Sequence, residues 1–157
     1  MFRPLALPPD VPGQLWLDAM PGRFEPWGQF LAQASRHRLD RVVCLTSLDE
    51  VASLAPAYAQ AIGQGELPCR WEQLVMRNFG LPLDEAGYRD RIQGLADSLR
   101  AGESMLLHCA AGIGRTGTVA ACVLKQLGWP RDQALQHVIA AGSNPQNALQ
   151  SGLVDWF

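Results

Sequence analysis

The sequence predicts an α/β fold of three layers, in which helices cover both faces of a short, mostly parallel central sheet. Short apolar segments typical of buried strands alternate along the chain with segments whose apolar residues recur at helical spacing. Such alternation favours parallel strands with helices on each side. The chain has 157 residues, enough for one core, and it contains no repeat, low-complexity tract or linker. We therefore expect a single domain over residues 1–157.

The strands are predicted where apolar residues run together, and the helices where they recur three and four residues apart. Four strands are expected, the first of them at the sheet edge, over residues 15–18, 41–45, 74–77 and 105–108. Six helices are expected over residues 27–38, 56–62, 86–100, 118–127, 131–141 and 147–156. Asp49 is expected to cap one further helical turn.

Residues 108–118, with the sequence HCAAGIGRTGT, join the last predicted strand to a helix. Such a junction gathers backbone N–H groups and the positive end of the helix dipole around an anion. Gly112, Gly114 and Gly117 allow close backbone approach, so that successive N–H groups can point at one set of oxygens. Arg115 supplies a planar fork that can hold two phosphate oxygens. The segment therefore predicts a phosphate-binding loop.

Cys109 lies at the centre of this positive potential, which predicts a thiol pKa below the ordinary value and a thiolate at neutral pH. Thr116 places a hydroxyl where it can hydrogen-bond the sulfur. His108 is expected to order the loop, because a thiolate needs no base. The alternative is a glycine-rich turn with an incidental buried cysteine. The full string of cysteine, glycines and arginine favours a nucleophile.

This string matches HCxxGxxR[ST]G, and the chain resembles the cysteine-dependent protein tyrosine and dual-specificity phosphatases, nearest to their small kinase-associated branch. The resemblance implies a phosphatase-type fold and a reaction with no metal and no cofactor. It implies that Cys109 attacks phosphorus to form a phosphocysteine, that Arg115 binds the equatorial oxygens and that Thr116 aids the second step. The remaining loop residues would bind the phosphate, namely His108, Ala110, Ala111, Gly112, Ile113 and Gly114.

The family also uses an aspartate on a separate loop to protonate the leaving oxygen. Asp84 is the candidate, because Pro82-Leu-Asp84 resembles the acid loop of small dual-specificity phosphatases. It follows a predicted strand, and the carboxyl ends of parallel strands share one edge of a sheet. Glu85 is the alternative acid. Asp84 could instead serve as the N-cap of the next helix.

Two further segments carry weaker resemblances. Residues 144–150 resemble the glutamine-bearing segment that positions the hydrolytic water in classical tyrosine phosphatases, with Gln146 and Gln150 in the two glutamine positions. The alternative is a helix start that happens to carry amides. Residues 15–27 resemble the start of the kinase-associated branch, and we expect Arg23 there to have a structural role.

The inner loop bears on the substrate. Ala110, Ala111 and Ile113 are neutral and offer no charge to additional phosphates, which disfavours a phosphoinositide. Phosphotyrosine in a protein or peptide is the expected substrate, with phosphoserine and phosphothreonine next, and free phosphate or sulfate should bind the same loop. The alternatives are a phosphate-binding interaction module without turnover and a phosphoinositide or inositol phosphate phosphatase. His108 and Thr116 disfavour a rhodanese- or arsenate-reductase-like enzyme.

The composition is globular, with 48% hydrophobic and 18% charged residues. The net charge of −2 predicts no basic face for nucleic acid or an anionic membrane. No signal peptide or membrane span is expected, and a nucleophilic thiol that must stay reduced suggests a cytoplasmic location. The four cysteines, Cys44, Cys69, Cys109 and Cys122, lack metal-site spacing. A reversible disulfide between Cys44 and Cys109 is one hypothesis.

Overall fold

The computed structural model describes residues 1–157 and contains one five-stranded sheet. Its strands are β1 (Arg3–Leu5), β2 (Gln14–Asp18), β3 (Arg41–Cys44), β4 (Arg70–Gln73) and β5 (Ser104–His108). Their order across the sheet is β1-β2-β5-β3-β4. β1 is antiparallel to β2, whereas every other neighbouring pair is parallel. The predicted, mostly parallel sheet is confirmed.

Seven helices surround the sheet. They are α1 (Trp27–Arg36), α2 (Leu48–Leu54), α3 (Pro56–Gln64), α4 (Tyr88–Arg100), α5 (Gly114–Gln126), α6 (Arg131–Ala140) and α7 (Ala148–Trp156). None of the seven combines the length and the apolar character needed to cross a bilayer.

Successive strand residues face two separate apolar clusters, one on each side of the sheet. Val43 and Leu107 belong to the larger cluster, with residues of α4, α5, α6 and α7. Val42 and Leu106 belong to the smaller cluster, with residues of α1, α2 and α3. All five residues of β5 are buried, as expected for a central strand covered on both faces. The predicted three-layer α/β/α arrangement is therefore confirmed.

The prediction that residues 15–18 form the sheet edge was wrong, because β1 pairs with β2 on its outer side. β1 has only three residues, too few to show an alternating pattern. Its central residue is Pro4, which lacks an N–H and is tolerated at a sheet edge. The strand is set by tertiary pairing, so its own sequence gave little signal.

The strand predicted over residues 74–77 was also misplaced, since β4 ends at Gln73. β4 forms the other edge, and its partly exposed sequence RWEQ lacks the apolar run expected of a buried strand. The apolar residues that follow belong to the connecting loop. There, Met76 forms an isolated antiparallel bridge with Pro82.

The starts of three helices, α5, α2 and α4, differ from the prediction. α5 begins at Gly114, so Arg115 lies in its first turn. The helical turn expected after β3 is the seven-residue helix α2, and its cap is Ser47, whose Oγ accepts the Glu50 N–H at 3.2 Å. Asp49, the predicted cap, lies inside the helix. α4 begins at Tyr88, two residues later than predicted.

Candidate active site

The loop from Cys109 to Ile113 lies at the carboxyl edge of the parallel strands, between the end of β5 and the N-terminus of α5. Gly112 has φ of 74°, in the left-handed region that favours glycine. A Cβ on Gly112 would come within 2.4 Å of the backbone of Asp18 at the end of β2. Both backbone conformation and space therefore require glycine at this position.

The loop presents backbone N–H donors that have no hydrogen-bond acceptor within the protein. The N–H groups of Ala110, Ala111, Ile113, Gly114 and Arg115 make no hydrogen bond within the chain. The last two belong to the first turn of α5, where helical N–H groups have no partner in their own helix. Together with the positive end of the α5 dipole, these donors suit an anion such as phosphate.

The Cys109 sulfur is buried and accepts two hydrogen bonds. The Gly112 N–H donates to Sγ at 3.2 Å, and the Thr116 hydroxyl donates to it at 3.0 Å. Burial raises the pKa of the Cys109 thiol. The hydrogen bonds from the Thr116 side chain and backbone, the charge of Arg115 and the Gly112 N–H together lower the pKa by more than burial raises it. The net pKa lies below its ordinary value, which favours the nucleophilic thiolate.

The Arg115 guanidinium is nearly buried and is held by a carboxylate that the sequence analysis did not single out. Its Nη1 donates to Glu50 Oε1 at 3.0 Å, and its Nη2 donates to Glu50 Oε2 at 2.7 Å. Nη1 also donates to the Met76 carbonyl at 3.4 Å. These hydrogen bonds lower the pKa of Glu50, so the pair is ionised at neutral pH.

Glu50 binds only one edge of the guanidinium. A guanidinium carries five N–H donors, and the end-on bonds to Glu50 and Met76 use three of them. The bonds to Glu50 and Met76 leave the Nε–H and the second hydrogen of Nη2, and the guanidinium also interacts with the Cys109 sulfur, which raises the pKa of Arg115. These two donors form the side edge of the fork, which matches two oxygens of a phosphate. Arg115 can therefore hold Glu50 and a phosphate at the same time.

His108 is fully buried, and its hydrogen bonds define its tautomer. Burial lowers the pKa of His108, so the ring is neutral. Nδ1 lies 3.0 Å from the carbonyl oxygen of Cys109, which can only accept, so Nδ1 carries the proton. Nε2 then accepts the hydroxyl proton of Tyr58 at 2.8 Å, and Trp71 Nε1 donates to that hydroxyl oxygen at 2.9 Å. His108 thus holds the Cys109 carbonyl through a buried chain and contributes no base.

Asp84 lies in the loop between β4 and α4. Its Oδ1 accepts the Gly87 N–H at 3.0 Å, but Gly87 is itself the N-cap of α4 and no side chain caps that helix, so Asp84 is not its N-cap. The same loop contributes the Met76 carbonyl, which accepts a hydrogen bond from Arg115, so the loop lies beside the guanidinium. Glu85 instead lines an apolar groove of about 380 Å³ that is also lined by Tyr88 and Trp156.

Gln146 lies directly against the N-terminal turn of α5. Its Oε1 is 2.5 Å from the position that a Cβ on Gly114 would occupy. Gln150 is fully buried, and its Oε1 accepts the Gln146 N–H at 2.7 Å, whereas its Nε2 has no partner in the protein. Gln150 therefore fixes the backbone of Gln146. Asn147 caps α7 by accepting the Gln150 N–H at 3.0 Å.

The hypothesis of a Cys44–Cys109 disulfide does not fit the structure. Both are free thiols, and Cys44 belongs to the smaller apolar cluster while Cys109 belongs to the larger one. Cys44 is paired with His108 across the sheet, so the next residue, Cys109, projects to the other face. Thiols on opposite faces cannot be joined without backbone movement.

Comparison with known proteins agrees with this geometry. Residues 29–151 match the family model described as Swiss Army Knife protein, DSP-PTPase phosphatase domain. No curated protein sequence matches the chain.

Three solved structures illustrate the likeness of fold. Kinase-associated phosphatase, with its catalytic-site cysteine replaced by serine, gives a TM-score of 0.82 at 19% identity, covering 98% of this chain and 91% of that one. PTPMT1 gives 0.72 at 16% identity, covering 98% and 91%. TpbA of P. aeruginosa gives 0.62 at 24% identity, covering 99% and 90%.

Proposed function

The chain belongs to the Swiss Army Knife DSP-PTPase phosphatase family and is a cysteine-dependent phosphatase, and from this premise we propose its catalytic residues and its preferred substrate. The preferred substrate is phosphotyrosine in a protein or peptide, with phosphoserine and phosphothreonine next. The observation that carries the proposal is the Cys109 sulfur, which accepts hydrogen bonds from Gly112 and Thr116 beside a loop of unpartnered N–H donors.

In the first step the Cys109 thiolate attacks phosphorus, the S–P bond forms and the bond from phosphorus to the leaving oxygen breaks. The side edge of Arg115 and the loop N–H groups bind the three non-bridging oxygens, whose charge is spread in the transition state. Asp84 transfers its proton to the leaving oxygen. One Asp84 oxygen is engaged by Gly87, and the other is free to carry that proton.

In the second step water attacks the phosphocysteine, the S–P bond breaks and inorganic phosphate leaves. Asp84, now a carboxylate, accepts the proton of the water, and the Thr116 hydroxyl stabilises the departing thiolate. Gln146, which lies over the first turn of α5, orients the water. Gln150 holds Gln146 in place through its backbone.

The inner loop supports a singly phosphorylated substrate. Ala110, Ala111 and Ile113 carry no charge, so Arg115 is the single cation that the loop itself contributes. A phosphoinositide phosphatase is the second candidate, because the structural neighbour PTPMT1 has been solved in complex with PI(5)P. That structure matches this chain with a TM-score of 0.71 at 16% identity. The neutral loop argues against it for this chain.

We further propose that residues 1–157 act as one phosphatase domain in a reducing compartment such as the cytoplasm. A catalytic thiolate requires a reduced sulfur, and all four cysteines are free thiols. The ligand of the loop would be the phosphate group of a phosphorylated protein or peptide. Free phosphate or sulfate would bind in the same place.

The test is release of phosphate, without added metal, from matched phosphotyrosine, phosphoserine, phosphothreonine and phosphoinositide substrates, with Cys109→Ser as the control. We expect turnover of phosphotyrosine first and no turnover by the variant, which retains the fold but lacks the nucleophile. A preference for the lipid would favour the second candidate. Tight phosphopeptide binding without any turnover would overturn the enzymatic proposal in favour of a recognition module.

A further inference from the structure

The side chain of Arg3, on the edge strand β1, reaches the outer side of the phosphate loop. Its Nη2 donates to the Gly112 carbonyl at 2.6 Å. Its Nη1 donates to the Ala141 carbonyl at 2.5 Å and to Ser143 Oγ at 3.0 Å. Ser143 Oγ in turn donates to the same Gly112 carbonyl at 2.6 Å. One carbonyl of the loop is therefore held by two donors from two distant parts of the chain.

The held carbonyl fixes a donor on the opposite side of the same peptide unit. The C=O of Gly112 and the N–H of Ile113 belong to one planar trans peptide, in which they point in opposite directions. While Arg3 and Ser143 hold the carbonyl on the outside, the Ile113 N–H must point away from them. That N–H has no acceptor in the protein and belongs to the set of free loop donors.

Glycine makes this peptide unit movable, so it needs a restraint. Gly112 has φ of 74° and lacks a side chain that would limit rotation of the unit. A rotation would turn the carbonyl oxygen toward the anion and remove a donor from it. A carbonyl facing a phosphate is repulsive, whereas an N–H is attractive.

We propose that Arg3, together with Ser143, is a positioning residue that locks the Gly112–Ile113 peptide with its N–H toward the phosphate. The inference rests on the proposed function, since it assigns a role in the same loop. Arg3 binds the outer side of the peptide unit, and its hydrogen bonds act on the phosphate through the Ile113 N–H, while its charge also interacts with Cys109.

The charge of Arg3 adds to the hydrogen bonds. Burial lowers the pKa of Arg3, while the charges of Asp18 and Cys109 raise it, and the guanidinium stays protonated throughout the physiological range. A cation on the Gly112 carbonyl also polarises the peptide and strengthens the opposite N–H as a donor. Lysine would keep the charge but not the fork that reaches Gly112, Ala141 and Ser143 together.

The experiment compares Arg3→Met, Arg3→Lys and Ser143→Ala with Arg100→Met as the matched control. Arg100 also donates to a backbone carbonyl, that of Gln126, at the far end of α5. Three quantities are measured: the inhibition constant of inorganic phosphate, kcat and KM for a small aryl phosphate, and the pH dependence of Cys109 alkylation by iodoacetate. Thermal unfolding is followed in parallel.

We expect Arg3→Met to weaken phosphate binding about 10-fold and to lower kcat/KM about 10-fold. The loss is limited because the Ile113 N–H is still present and only the restraint on its peptide unit is lost. Arg3→Lys should recover part of the loss, Ser143→Ala should show a smaller loss, and the control should match the wild type. The proposal would be overturned if Arg3→Met unfolded at a lower temperature but bound phosphate as tightly as the wild type, with the same pH dependence of Cys109 alkylation.

If Arg3→Met does not fold, Ser143→Ala still tests the inference, and unchanged phosphate binding in that variant would overturn it. Phosphate binding and alkylation do not require turnover. A wild-type protein that binds phosphate but hydrolyses no substrate would thus refute the proposed function while leaving the role of Arg3 to be decided by the variants.

Discussion

Glu50 binds both terminal nitrogens of Arg115, at 3.0 and 2.7 Å, and so holds the arginine in place before any substrate arrives. The Arg115 side chain is 4% exposed and that of Glu50 27% exposed. A long side chain that is already ordered loses little conformational freedom when it binds phosphate. Glu50 occupies the end of the guanidinium, which leaves its side edge for the phosphate of the proposed reaction.

Replacing Glu50 with alanine should reduce kcat/KM for an aryl phosphate by about 10- to 100-fold. Arg115 then loses both hydrogen bonds to the carboxylate, and its guanidinium is no longer held in one orientation. Glu50→Gln keeps one acceptor oxygen and should lose less. Steady-state kinetics on both variants measure the difference. Asp49→Ala is the control, since this neighbour is not hydrogen-bonded to Arg115. Equal losses in Glu50→Ala and Asp49→Ala would argue for a general effect on α2.

Glu50 should also make stability depend on pH. The hydrogen bond from Arg115 lowers its folded-state pKa, so its contribution to the free energy of unfolding is present above the unfolded value, about 4.3, and is lost as pH falls through the folded value. Urea unfolding of the wild type and Glu50→Gln should differ near pH 7 and converge toward pH 3. A gap that is the same at both pH values would contradict this assignment.

The loop could be predicted from sequence, and Glu50 could not, for a physical reason. Cys109, Arg115 and Thr116 lie on one short turn of backbone, so their spacing along the chain determines their arrangement in space. Glu50 lies 65 residues from Arg115, and the local pattern from Ser47 to Glu50 signals only a helix cap. Its second role appears once β3 and β5 pair and bring α2 beside the loop.

The edges of the sheet were predicted less well than its centre for a related reason. β5 is buried along its whole length and carries three consecutive apolar residues, Met105 to Leu107, because both of its faces are covered. β1 and β4 each lie at an edge, where exposed positions and a proline dilute the pattern. Arg3 was missed with β1, since its contacts to Gly112 and Ser143 cross more than 100 residues of chain.

The Thr116 hydroxyl should set much of the reactivity of Cys109. Burial raises the pKa of the thiol, and among the groups that lower it Thr116 contributes most, so Thr116→Val should move the pKa upward. The rate of alkylation by iodoacetamide, measured against pH, reports this value directly. Thr118→Val is the control, because its hydroxyl donates to the Gly114 carbonyl at 2.7 Å and not to the sulfur. An unshifted alkylation profile in Thr116→Val would show that the backbone donors suffice.

Substitutions at the neighbouring residues Asp84 and Glu85 can decide which of them is the general acid. Asp84→Asn keeps an acceptor for the Gly87 N–H but cannot transfer a proton, so kcat should fall about 10²- to 10⁴-fold for a substrate with a poor leaving group. The basic limb of its pH profile should flatten. Glu85→Gln, whose side chain lines the apolar groove, should retain that limb. The opposite result would transfer the role of acid to Glu85.

Two glycines of α5 should respond to alanine in opposite ways, although alanine favours a helix over glycine by about 1 kcal/mol. A Cβ on Gly117 would come within 2.5 Å of the Asn144 backbone, which cannot move aside, so Gly117→Ala should lower the free energy of unfolding by about 1–3 kcal/mol. A Cβ on Gly114 would meet the end of the Gln146 side chain, which can swing away. Gly114→Ala should therefore stay folded and slow the hydrolysis of the phosphocysteine, because Gln146 is displaced.

Urea unfolding measures the first effect, and a burst of leaving group followed by slow turnover reveals the second. Gly94→Ala is the control for helix propensity, since nothing lies within 4 Å of its added Cβ. Gly114→Ala without a burst would mean that Gln146 does not act in the second step. A Gly117→Ala variant as stable as the wild type would mean that the turn at Asn144 moves freely relative to α5.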